Sequence, residues 1–241
     1  MSDKIYPISN DYAVNSRFDQ KAYLETYRDS VENNEDFWSR QAQRLDWHTP
    51  FTKVKNTHWS DSSVSIKWFE DGELNVCYNC VDRHLKAHAD KTAILWESDD
   101  GQKTQSISFL KLYDEVCQMA NALKSIGVKK GDRVTLYMPM IPEAAYAMLA
   151  CARLGAVHSV VFAGFSAEAL AGRIDDCESH FVITADEGFR AGKTIPLKQT
   201  VDQAIEMSQT AVKKSLVMKY TSTDVGWNDS RDVDYLSLIH I

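Results

Sequence analysis

No stretch of this chain approaches the roughly 18 uninterrupted apolar residues that a membrane span requires, so no membrane partner is expected. A cationic excess is missing as well: 34 Asp and Glu stand against 27 Lys and Arg, a formal charge of −7. Without a broad positive surface, nucleic acid and anionic lipid are not expected partners. An anionic ligand would have to be held by a local Arg/Lys cluster or a helix N-terminus. Cysteine is sparse: the five thiols (Cys77, Cys80, Cys117, Cys151, Cys177) are odd in number and lack dense disulfide spacing, which predicts reduced cysteines and a cytoplasmic or similarly reducing compartment. The opening MSDKIYPISNDYAV has no basic region followed by an apolar run, so no targeting leader is expected. What the chain does have is 44% apolar residues over 241 positions, enough to bury the core of one large domain or two modest ones.

Residues 1–19 are polar and aperiodic and read as a loosely held arm. From Gln20 to Leu45 the apolar spacing predicts two short helices around a polar Glu32–Glu35 turn. Trp38, Trp47, Trp59 and Trp68 crowd the region up to residue 80, which reads either as a cap with bulky anchors or as a small aromatic core. Val64–Phe69 alternates like a strand, with Asp71-Gly72 as its turn, and Asn79 is placed to cap a helix from Val81 to His88. Ala93–Glu97 and Ser106–Phe109 flank Asp99-Asp100-Gly101 as a hairpin, and Ser108 opens a helix that Gly127 ends. A βαβαβ run follows: strand Arg133–Met138, helix Pro142–Leu154, strand Val157–Phe162, helix Ser166–Cys177, strand Phe181–Thr184. The last two strands are almost wholly apolar, as in parallel sheets covered on both faces, so the fold class is α/β. Ligands of such sheets bind beyond the C-terminal strand ends, which directs attention to the loops after Phe162 and Thr184.

Gly192-Lys193-Thr194 superficially suits a nucleotide-phosphate loop, but Gly188 lies one residue too close and Pro196 follows where a long helix should be running. Tyr220-Thr-Ser-Thr223 lacks the glycines and lysines of a phosphate loop. Cys77, Cys80, His84 and His88 are zinc-ligand types, yet on one continuous helix they would spread over about 16 Å, beyond one tetrahedral ion. A helix starting at Val81 would leave the cysteines free to fold back; otherwise buried thiols and surface histidines are expected. The cluster Arg190-Ala191-Gly192-Lys193 sets a guanidinium and an ammonium around a glycine that permits close backbone approach, a combination that suits a phosphate. Spacing alone favours a solvated surface pair over a phosphate site.

The segments Tyr137-Met-Pro-Met-Ile-Pro-Glu-Ala-Ala145 and Met148 to Ile174 resemble the AMP-forming acetyl-CoA synthetase family, part of the adenylate-forming superfamily. So do Asp46-Trp-His-Thr-Pro-Phe51, Val64–Gly72, Asn79–Leu85 and Ile183–Lys198, in family order from about Tyr23 to Tyr235. The resemblance implies an acetate–CoA ligase using ATP, coenzyme A and Mg2+: acetate and ATP give acetyl-adenylate, from which the coenzyme A thiol displaces AMP. It implies small-molecule partners only (acetate, ATP and CoA) and leaves the oligomeric state open. It also implies a helical, aromatic cap over 20–80 and the first part of the AMP-binding domain over 81–241. Coenzyme A phosphate contacts map to Arg190, Ala191, Gly192 and Lys193, where many family members carry Arg at the last position. Phe162, Ala163 and Gly164 match a family turn beside the same ligand. The family's ATP loop, acetate pocket, Mg2+ ligands and C-terminal lysine domain have no counterpart in these 241 residues, which are therefore expected to be inactive alone. Residues 236–241 depart from the family pattern and are read as non-native. A propionate or other short-chain acyl-CoA synthetase, and a non-catalytic binding module, are the alternatives.

Overall fold

The computed structural model describes residues 7–239, which form two compact units dividing between Leu74 and Asn75. In the first, α1 (Asn10–Asn15) lies within the stretch expected to be an arm, whose residues 1–6 are outside the described residues. The Asp19 carboxylate accepts the Ala22 amide at 2.7 Å and opens α2 (Gln20–Glu32); a break at Asn33 separates it from α3 (Asn34–Ala42). β1 (Lys55–Trp59) pairs antiparallel with β2 (Val64–Trp68), from Lys55↔Trp68 to Trp59↔Val64. The strand expected at Val64–Phe69 is therefore present, but its hairpin turn lies upstream at Ser60–Ser63. All of β2 is exposed, so its alternation marks no buried face. Asp71-Gly72 instead folds back on the preceding segment: the Asp71 carboxylate accepts the Thr52 amide, and a Cβ on Gly72 would lie 2.5 Å from the Trp47 ring. Trp47, Phe51 and Phe69 pack ring to ring at 4.8–5.5 Å, a small aromatic core, whereas Trp59 is exposed.

The second unit opens with α4 (Val76–Cys80), followed by a 3-10 turn over Asp82–His84 and α5 (Leu85–His88). The expected helix over 81–88 with an Asn79 cap is corrected here. Val81, at φ −125°, leaves helical geometry, and the capping side chain is Asn75, whose Oδ1 accepts the Tyr78 amide at 3.0 Å. Asn79 is instead buried, and its side-chain amide donates to the Asn75 carbonyl. Asn75 Nδ2 also donates to the Ala152 carbonyl, and Arg153 forks onto Asp82 at 3.0 and 2.7 Å, so this stretch packs with the second unit.

β3 (Thr92–Glu97) and β4 (Thr104–Ser108) form the expected antiparallel hairpin. Ser108 Oγ accepts the Lys111 amide and starts α6 (Phe109–Ser125), which buries Leu112, Val116, Met119 and Leu123 on one face. Then come β5 (Arg133–Tyr137), α7 (Pro142–Leu154), β6 (Val157–Val160), α8 (Ala167–Asp176) and β7 (Phe181–Ala185). They are followed by β8 (Gly188–Arg190), β9 (Lys193–Ile195), α9 (Leu197–Met207), β10 (Lys214–Met218), β11 (Asp232–Asp234) and α10 (Tyr235–Ile239). Of the tail singled out at 236–241, residues 240 and 241 lie outside the described residues.

Five strands form a parallel sheet in the order β11-β10-β7-β5-β6, giving a mixed α/β fold. β7 is buried at every position, as its apolar run predicts. β6 is not: it is the edge, with Val157 55% and Val160 59% exposed. An apolar run records that a strand joins a sheet but not whether neighbours cover both sides. From β5 the chain steps to β6 on one side, then crosses to β7 on the other, so the order reverses between β5 and β7. Such a reversal leaves a crevice outside the C-terminal ends of those strands.

Candidate functional site

That crevice is occupied by a cleft of about 450 Å3. Met138 to Ile141, after β5, form one wall, and Val160, the last residue of β6, through Ala163 form another. The remainder comes from Gly188 to Arg190, Ile195, Leu197 and Tyr220, with Glu97 and Asp99 on the rim. Each wall is pinned. Thr184 Oγ1 donates to the Tyr137 carbonyl at 3.0 Å, tying β7 to β5 at the cleft. The Tyr137 hydroxyl, wholly buried, donates to the Phe165 carbonyl at 2.8 Å and accepts the Gly164 amide at 3.1 Å, which fixes the turn after β6. Trp96 Nε1 donates to the Met140 carbonyl at 2.7 Å, holding the loop after β5. The buried Asp186 carboxylate accepts the amides of Glu187, Tyr220 and Thr221, which sets Tyr220 at the cleft. Gly188 is required for space: a Cβ there would lie 2.9 Å from Pro139.

Arg190 and Lys193 face each other in the β8–β9 register, joined by Ala191 and Gly192 at φ 49° and 72°. Positive φ at both central residues is the signature of a type I′ turn. Residues directly opposite in an antiparallel pair project to the same face, where like charges repel. Two cations are thus held together, and neither has an ion-pair partner among the described residues. The Arg190 guanidinium lies 4.6 Å from the centroid of the Phe162 ring, so the two loops singled out in the sequence meet here. Gly164, at φ 130°, allows the Phe162 turn, and Ala163 lines the cleft. The arrangement offers positive charge at the mouth of an apolar, aromatic-walled recess.

The family model described as AMP-binding enzyme matches residues 81–235. This chain belongs to that family. The model for the acetyl-coenzyme A synthetase N-terminus matches residues 23–80 of the same chain. Acetyl-coenzyme A synthetases of Brucella canis and Agrobacterium fabrum are 56% and 57% identical to it over 238 residues, 98% of this chain and 36% of each relative. The chain thus spans about a third of the length of these curated relatives. Acetoacetyl-CoA Synthetase from Streptomyces lividans, 23% identical, superposes with a TM-score of 0.79 over 96% of this chain and 34% of its own, and so shares the fold.

Sequence reasoning singled out the cation pair and the Phe162 turn but missed Asp99, Met138 to Ile141, Phe189 and Tyr220. Tyr220 follows β10, whose run Ser215–Met218 was the available signal. The Gly192-Lys193-Thr194 segment is half of a β-hairpin rather than a loop entering a helix. Cys77 is buried, its thiol pushed up to about 11 by burial, whereas Cys80 is exposed. Among the described residues no three His, Cys, Asp or Glu side chains are placed to share a metal ion, and no helix is long and apolar enough to cross a membrane.

Proposed function

We propose that this chain supplies the coenzyme A-binding part of an acetate–CoA ligase, with Arg190 and Lys193 receiving phosphate oxygens. The observation that carries the reading is a cation pair without an ion-pair partner among the described residues, of which Arg190 lines the cleft and Lys193 stands opposite it in the hairpin. Arg190 would donate charge-assisted hydrogen bonds to an oxyanion in a fork, Lys193 would add a compact charge, and the turn backbone at Ala191-Gly192 leaves room for close approach. The apolar and aromatic walls suit the flat purine of the same cofactor, while Phe162 keeps the guanidinium from folding away. In the full reaction, acetate condenses with Mg-ATP to acetyl-adenylate and diphosphate; the thiol then attacks the acyl carbon and AMP leaves. We assign the ATP and Mg2+ contacts to parts of the family's length outside this segment, residues 20–80 to the family's cap and 81–241 to the start of its AMP-binding domain. The substrates are small molecules. The high identity to acetyl-coenzyme A synthetases supports acetate as the acyl substrate.

The test uses a protein carrying this segment at the relatives' full length. Lys193→Ala should raise the KM for coenzyme A about tenfold while acetate-dependent exchange of pyrophosphate into ATP stays unchanged; Arg190→Ala should do the same more strongly. Loss of the exchange reaction together with coenzyme A use would count against the assignment.

A further inference from the structure

Resting on the coenzyme A reading above, the geometry points to Asp99 as a positioning residue: we propose that its carboxylate holds the Arg190–Lys193 turn in the conformation that presents both cations to the ligand. In a two-residue hairpin the ladder uses the flanking residues, and the amide of the second central residue has no strand partner. Here that amide belongs to Gly192, and it donates to Asp99 Oδ2 at 3.2 Å across 93 positions of sequence.

Asp99 is well placed to be a fixed acceptor. Its neighbour Asp100 is satisfied within its own turn, taking the Ser98 hydroxyl at 2.6 Å and the Gln102 amide at 3.0 Å. The Lys103 amide in turn donates to Ser98 Oγ at 2.9 Å, so the tip is braced on both sides. Trp96, in the strand leading to this turn, is tied to Met140 at the opposite wall. By contrast β8 and β9 have three residues each, and a two-stranded ribbon of that size holds its shape poorly unaided. A braced acceptor on one hairpin therefore sets the tip of a weak one. The carboxylate also brings negative charge near an anion site, which makes acceptor geometry and charge separable by substitution.

Coenzyme A would be titrated calorimetrically into a protein carrying this segment at the relatives' full length and into its Asp99→Ala, Asp99→Asn and Arg190→Ala variants, with thermal unfolding of each. Removing the acceptor should weaken coenzyme A binding about three- to tenfold, the range set by one lost hydrogen bond, with the unfolding temperature unchanged. Asn, which keeps an acceptor oxygen without the charge, should restore most of the affinity. Three results would overturn the inference: wild-type affinity in Asp99→Ala, equal weakening by Asn and Ala, or a fall in unfolding temperature that accompanies the lost binding. Undiminished binding by Arg190→Ala, or no binding by the unsubstituted protein, would instead sink the coenzyme A reading itself and the inference with it.

Discussion

Ala191 sits at φ 49°, a left-handed conformation in which its Cβ crowds the following carbonyl. The preferred pair for such a turn is Asn-Gly, and Gly192 already supplies the second half. Ala191→Asn should therefore stabilise the chain by about 0.5–1 kcal/mol, somewhat less than the full left-handed penalty because Asn only tolerates that region. A urea midpoint that fails to rise would show that the turn strain is relieved elsewhere. The same residue explains what was hidden in the sequence here. Arg190 and Lys193 were legible as cations around a glycine, but Ala-Gly is a poor hairpin signal, so the two short strands and the opposition of the charges were not. Asn79 shows the converse: a good capping residue type that lies buried inside α4 with its side-chain amide on the Asn75 carbonyl, while Asn75 caps the helix.

Elements with both a start and a stop in sequence were placed well. α7 begins at Pro142 and ends at Gly155 in left-handed geometry, and α8 begins on Ser166, whose Oγ accepts the Ala169 amide. Strands carry no such punctuation, which is why β6 was expected to be covered on both faces and β10 was not assigned. Tyr137 links this element scale to the site. Located at the C-terminal end of β5, it bridges to the turn after β6 through one hydroxyl that both donates and accepts. Tyr137→Phe keeps the ring and removes both bonds, leaving the Gly164 amide and Phe165 carbonyl to find other partners. The expected loss is about 1–2 kcal/mol of stability, with faster hydrogen exchange concentrated at Gly164. An unchanged exchange rate there would mean that the Phe162 turn is held by packing alone. No sequence pattern could have shown this strut, since a tyrosine within an apolar strand reads only as core.

At the scale of the molecule, the parallel sheet places its reversal point between two buried strands, so stability and cleft share the same residues. Its dependence on pH follows from three carboxyls with opposite tendencies. Asp175 is held down at about 2 by the Ser208 hydroxyl and the Thr210 amide, with a further amide from Gln209, joining α8 to the segment before β10. Burial works to raise Asp232, but Arg231 and Lys198, the latter fully buried, hold it below its ordinary value and tie α9 to β11. Both folded values lie below the unfolded ones, so their stabilisation is present above about pH 4 and is lost as pH falls through the folded values. Glu143, in the first turn of α7, is raised, chiefly by burial. Its contribution has the opposite sign: full below about pH 4 and lost as pH rises through its folded value. Neutral isosteres separate the two. Asp175→Asn should lower the urea midpoint at pH 7, and the gap to wild type should close as pH falls toward 2; Glu143→Gln should raise the midpoint at pH 7 and match wild type near pH 4 and below. If both variants shift the midpoint by the same amount at every pH, these carboxyls act through shape rather than charge, and the acid sensitivity of the fold must arise from other groups.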